Sequence, residues 1–206
     1  MSQVRELNEI QRDALREVAN IGAGHAATAL SRMTDRTIMI EVPEVSDCRL
    51  GTVAEAVGSI GSNATAVVMN MMGDLTGRTA VVLSLSDTRI LCDLLLRRIA
   101  GTTSSLGEME ESSIRETGNI LTSAYLTALS DFMGLMLVPS VPTLLSGPLT
   151  DVLTSVSADF DEVRGMVICV DTAFRIERAP EVLHGAFLLL PDAVSVETIF
   201  DAIHLS

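Results

Sequence analysis

Apolar residues recur at three- and four-residue spacing from Ile10 through Ala14, Val18, Ile21 and Gly22, with polar residues between them. That period predicts an amphipathic helix with those residues on its inner face. Asn8 and Gln11 supply a capping box at its start, and it is expected to run to about Met33. Gly22 and Gly24 within it predict close packing against a neighbouring element, and His25 falls on the inner side as a core residue. Further on, the β-branched run Thr37 to Val42 ends at Pro43 as a strand does, and Leu50 to Val57 suggests a short helix. Ala64 to Met72 and Arg78 to Leu85 flank the turn-rich Gly73 to Gly77 and predict a hairpin. Asp87 to Ala100 reads as a helix stopped by Gly101. The first half is therefore α-β-α-β-β-α.

After the polar joint Thr102 to Gly107, the same order returns. Ser105 and Glu108 form the expected capping box of a second long helix that ends near Phe132. A strand at Leu135 to Val138, a helix at Pro148 to Ala158, strands at Gly165 to Phe174 and Leu183 to Leu190, and a helix at Val194 to His204 complete it. Asp159 to Glu162 and Glu177 to Glu181 read as solvated turns. The two halves, approximately residues 6–101 and 105–206, predict one internally duplicated α+β domain with pseudo-twofold symmetry, its two long helices packed on β-sheet.

Individual residues also repeat. Asp13, Glu17, Asn20 and Pro43 are followed 99 positions later by Ser112, Glu116, Asn119 and Pro142, and Thr28 to Ser31 matches Thr127 to Ser130 at the same offset. At about 100° per residue, Asp13, Glu17 and Asn20 fall at about 0°, 40° and −20° on the helical wheel, opposite the apolar centre near Val18. Each copy thus forms a narrow polar stripe able to meet one partner. A structural role, with the acids pairing Arg16 and Arg115, explains the asparagines least well.

Composition narrows the chemistry. The chain of 206 residues carries a formal charge of −13, and its basic side chains are 14 arginines and no lysine, which argues against a nucleic-acid backbone as partner. This acidity fits either a high-salt cytosol or a biased genome. Cys48, Cys92 and Cys169 are far apart and form no Cys-x-x-Cys pair, as expected of reduced, mostly buried thiols in a cytoplasm. The longest apolar runs are too short to span a bilayer. With 3% aromatic residues, the core must be aliphatic, and Met69, Met71 and Met72 are expected to fill gaps within it. No His/Cys/Asp cluster has metal-ligand spacing, no glycine-rich phosphate cradle is present, and no nucleophile stands beside a base. A carboxylate and a carboxamide on one helix face suit orientation more than proton transfer. Such groups match hydrolysis of an aspartyl-phosphate on another protein, a reaction in which the substrate brings Mg²⁺ and mainly an in-line water must be positioned.

These residues resemble the CheC family of chemotaxis phosphatases, related to CheX and FliY. Its signature is Asp or Ser, three residues, Glu, two residues, Asn, twenty-two residues, Pro, and both copies here match in full. The flanking Glu17 to Gly24 and Arg115 to Ile120 are similar as well, and the likeness covers essentially the whole chain. Two intact sites favour CheC over CheX, and the chain reads as lacking the flagellar-switch domain of FliY. The resemblance implies a cytoplasmic hydrolase that dephosphorylates phospho-CheY. Glu17 and Glu116 would pair with the receiver's lysine, and Asn20 and Asn119 would orient the attacking water. Asp13 and Ser112 would support the sites, with Pro43 and Pro142 shaping the chain behind them. No cofactor of its own is implied, Mg²⁺ coming with the receiver. CheD, a receptor-modifying deamidase, is an implied partner, with the chain a monomer or a heterodimer with CheD. A non-enzymatic adaptor for CheD or a receiver is the alternative.

Overall fold

The structure, a computed structural model, describes residues 6–42, 44–160, 165–177, 179 and 182–204. In chain order the elements of the first half are α1 (Glu9–Thr34), β1 (Ile38–Glu41), β2 (Val45–Arg49), α2 (Val53–Ala56, with a 3-10 turn on either side), β3 (Asn63–Gly73), β4 (Gly77–Ser84) and α3 (Leu85–Leu95). The second half consists of α4 (Glu108–Met133), β5 (Leu137–Pro139), β6 (Thr143–Pro148), α5 (Leu149–Ser157), β7 (Met166–Ile176), β8 (Leu183–Pro191) and α6 (Ala193–His204).

Each half therefore holds one strand more than its sequence pattern predicts. β2 and β6 are edge segments with no regular alternation of buried and exposed residues. What makes them strands is pairing to distant partners, which no local signal records. β1 and β2 both pair with β7, while β5 and β6 both pair with β3. The eight-stranded antiparallel sheet runs β1-β7-β8-β4-β3-β5, so the edge strands of each half bind the inner strand of the other. β4 pairs with β8 at the centre, from Gly77 opposite Pro191 to Leu83 opposite Gly185. A pseudo-twofold axis thus passes between β4 and β8.

The sheet separates two apolar clusters. On one side Leu15, Val18, Ala23 and Leu30 of α1 join Ile114, Leu121, Tyr125 and Leu126 of α4 over Val67, Val81, Ile168 and Phe187. On the other, α2 and α5 cover Ala66, Val82, Cys169 and Leu188. The Tyr125 ring lies 4.6 Å from that of Phe187, and burial pushes its hydroxyl up to about 12. Met69 and Met71 are buried, whereas Met72 is exposed, because β3 alternates its side chains and Met72 lies near the strand's end.

Helix boundaries follow side-chain contacts. Asn8 caps α1: its side chain accepts from the Gln11 N–H at 3.0 Å, and its own N–H donates to Gln11 Oε1 at 2.9 Å. In place of the expected box at Ser105 and Glu108 stands a one-sided cap a little downstream, where the Gly107 N–H donates to Glu110 Oε2 at 3.0 Å. Arg98 ion-pairs with the same Glu110 carboxylate, which sets that register. α3 stops at Leu95, not near Ala100. Its buried Asp93 draws the chain back by accepting from the N–H and hydroxyl groups of Thr102 and Thr103 at 2.6–3.1 Å, and Arg97 takes a left-handed φ of 58° in that turn.

Candidate active site

α1 and α4 are antiparallel neighbours: Gly22 meets Tyr125 and Ala124, while Leu15 and Ala19 share an apolar cavity of about 20 Å³ with Tyr125 and Leu129. A Cβ on Gly22 would approach the Tyr125 ring to 2.7 Å, so only glycine permits this separation. A Cβ on Gly24 would meet nothing within 4 Å, so that glycine performs no such role. The inner face of α1 is built from Gln11, Leu15, Val18, Ala19, Gly22, Ala23, Ala26 and Leu30. Ile10, Ile21 and His25, expected inside, are exposed. Small side chains bring α1 close to α4 and the sheet, which turns the contact face away from those three residues.

Opposite that inner face stand Asp13, Glu17 and Asn20, all exposed. On α4, Ser112 and Glu116 are exposed and Asn119 is half-buried. The side chains of Glu17, Asn20, Glu116 and Asn119 make no hydrogen bond or ion pair among the described residues. These polar heads therefore stand free on the helix surfaces. The two stripes do not converge on one centre: with the helices antiparallel and crossing near Gly22, they lie about 20 Å apart, toward opposite ends of the pair.

Two neighbouring arginines are engaged elsewhere. Arg12 Nε donates to Asp47 Oδ1 at 3.0 Å, and Asp47 Oδ2 accepts from the Leu7 N–H at 3.2 Å, so β2 fastens the start of α1. Arg115 pairs with Glu111 at 2.6 Å, leaving Glu116 free. Asp47 escapes the sequence reading because its strand does; its offset from the stripe carries no helical signal.

Gly118, next to Asn119, sits directly on the sheet. A Cβ there would approach Val67 to 2.4 Å, so only glycine lets α4 lie this close to β3. The corresponding residue of α1 is Ala19, which has a Cβ. The repeated serines also act: Ser31 Oγ accepts from the Ile38 N–H at 2.9 Å, and Ser130 Oγ donates to the Leu135 carbonyl. Each ties a site helix to the chain entering the following strand.

Pro142 is half-buried between β5 and β6, where the ladder with β3 is interrupted. Opposite that break, Ser140 and Asn70 exchange hydrogen bonds of 2.9 Å. A residue without an N–H suits an interrupted ladder. Pro43 lies outside the described residues. Among the described residues no three His, Cys, Asp or Glu side chains form a group able to hold a metal. No helix among them is long and apolar enough to cross a membrane.

The sequence model of the CheC-like family matches twice, at residues 10–46 and 109–146, once over each stripe. The chain is 32% identical over 208 residues to the CheY-P phosphatase CheC of Bacillus subtilis (strain 168), and the alignment covers all of both proteins. The chain belongs to the CheC-like family. It is also 30% identical over 129 residues to the flagellar motor switch phosphatase FliY of the same organism, which covers 62% of this chain and 33% of that protein. The X-ray structure of Thermotoga maritima FliY shares the fold, with a TM-score of 0.80 at 24% identity, covering 96% of this chain and 98% of that one. The eight-stranded antiparallel sheet and paired helices described above are thus the architecture of this CheC-like member.

Proposed function

We propose that this CheC-like protein is a chemotaxis phosphatase that hydrolyses the aspartyl-phosphate of CheY-type receivers. The observation that carries the reading is the pair of unengaged Glu/Asn stripes at matching positions on twin helices; the names of its curated relatives support it. Glu17 and Glu116 dock the receiver by pairing with its lysine through a charge-assisted hydrogen bond. Asn20 and Asn119 reach the phosphorylated aspartate and hold a water in line, the carboxamide oxygen accepting from it and the NH₂ donating to a phosphoryl oxygen. The water oxygen bonds to phosphorus as the bond from phosphorus to the aspartyl oxygen breaks, leaving carboxylate and inorganic phosphate. Mg²⁺ arrives with the receiver and neutralises phosphoryl charge there. Asp13 and Ser112 support the stripes, and the protein acts in the cytoplasm. CheD is a second partner.

Decay of phospho-CheY, followed with and without the protein, tests the reaction. Asn20→Ala together with Asn119→Ala is expected to lower kcat by roughly 10²- to 10³-fold while retaining most receiver affinity. Glu17→Ala with Glu116→Ala should weaken binding. Receiver binding without faster decay would refute the phosphatase and leave the adaptor.

A further inference from the structure

The stripes have a second repeated feature. Ile10 is 80% exposed, Ile21 48% and Met109 63%, with Ile120 half-buried. Single exposed apolar residues are ordinary on a protein surface. These four are two pairs, because Met109 and Ile120 lie 99 positions after Ile10 and Ile21, at the offset of the stripes themselves. On the helical wheel centred on Asp13 or Ser112, each pair falls at about 60° and 80°, beside the glutamate at about 40°. Arg16 and Arg115 occupy the opposite flank at about −60°. Both copies therefore order their surface the same way: cation, acid and amide, then an apolar shoulder. Gly22, which faces α4, lies at about 180°, so Ile10 and Ile21 lie on the flank of α1 beside that contact, while Ile120 packs partly against the core.

We propose that these apolar shoulders, Ile10 with Ile21 and Met109 with Ile120, are the contacts that bind the receiver beside each Glu/Asn stripe. This inference rests on the phosphatase reading for its occupant. Ile10 and Ile21 lie on the same side of the helix before and after the stripe, about 16 Å apart along its axis, so a domain seated on Glu17 and Asn20 spans both. Burying these side chains supplies affinity that an exposed ion pair alone does not. Ile21 and Ile120, next in the chain to the asparagines, border the reacting phosphate with groups that cannot donate or accept, whereas Ile10 and Met109 meet the receiver about 15 Å along the helix. The partner must accordingly present an apolar patch next to its phosphorylated aspartate. Receivers with a charged residue there are poor substrates.

The test is Ile10→Gln combined with Met109→Gln, both at exposed helical positions where glutamine is a good helix former. KM for the phosphorylated receiver is expected to rise about tenfold per site, with kcat within twofold and an unchanged melting temperature. Ile10→Leu with Met109→Leu should keep the parental KM. An unchanged KM in the glutamine variant overturns the shoulders while leaving the phosphatase intact. If the parent binds the phospho-receiver without hastening its decay, the phosphatase reading fails and the shoulders are judged by Kd: a tenfold loss in the glutamine variant supports them, and equal Kd overturns them. A parent that does not bind the receiver overturns both.

Discussion

Gly118→Ala tests whether the closeness of α4 to the sheet positions Asn119. The new Cβ would lie 2.4, 2.5 and 2.7 Å from Val67 Cβ, Cγ1 and Cγ2, against about 3.5–4.0 Å for carbons in contact. Val67 cannot withdraw, being 1% exposed and held between Val81 of β4 and Leu144 of β6. The helix must therefore lift by about 1 Å. Overpacking of this kind costs about 3 kcal/mol, offset by about 1 kcal/mol from alanine's better helix propensity. The net loss of about 2 kcal/mol corresponds to a Tm lower by about 4–8 °C in a domain of this size. Chemistry amplifies the displacement, since a 1 Å error in a positioning group can lower the rate on the order of 10²-fold. On the proposed mechanism an Asn20→Ala background leaves turnover to the second stripe, and there Gly118→Ala should lower kcat by roughly 10- to 100-fold. Measured with Asn119→Ala instead, the first stripe should keep its rate, because Ala19 already carries a Cβ there. Adding Val67→Ala should restore part of both Tm and kcat. A Gly118→Ala protein that melts and turns over like its parent in the first background would refute the reasoning.

Asp93→Ala removes the acceptor of four hydrogen bonds in the joint between the halves and is expected to cost about 3 kcal/mol, read as a lower Tm. Burial opposes the Asp93 charge, yet the bonds from Thr103 and Thr102 outweigh it and hold the carboxyl below its ordinary value. A depressed folded-state pKa contributes stability above the unfolded pKa that is lost as pH falls through the folded one. Melts across acid pH should therefore decline more steeply in the parent than in the variant. Asp171 has the opposite sign: burial first, then Glu44, raise its carboxyl against the opposing pull of His184. Its contribution is present at acid pH and lost as pH rises through the folded pKa. Asp171→Asn should raise Tm at pH 7 by about 2 °C, with the difference vanishing toward acid pH.

The stripes were legible in the chain because a helix face is a local property. Asp13, Glu17 and Asn20 share an azimuth wherever α1 packs, and an offset of 99 positions survives any arrangement of the halves. The caps at Asn8 and the hairpin around Gly73 to Gly77 are local in the same sense. β2 and β6 were not legible, since an edge strand of mixed polarity exists only through its partner, and those partners belong to the other half. For the same reason periodicity misplaces Ile10, Ile21 and His25 on the inner face: it finds a stripe, but which small residues let a neighbour approach decides what that stripe covers. Sequence alone thus determined which groups each stripe presents. Tertiary structure decided that the Glu/Asn heads stand unengaged among the described residues, that antiparallel packing keeps the two stripes apart, and that Gly118 seats one of them against Val67. Those outcomes depend on contacts between segments distant in the chain, which no local pattern encodes.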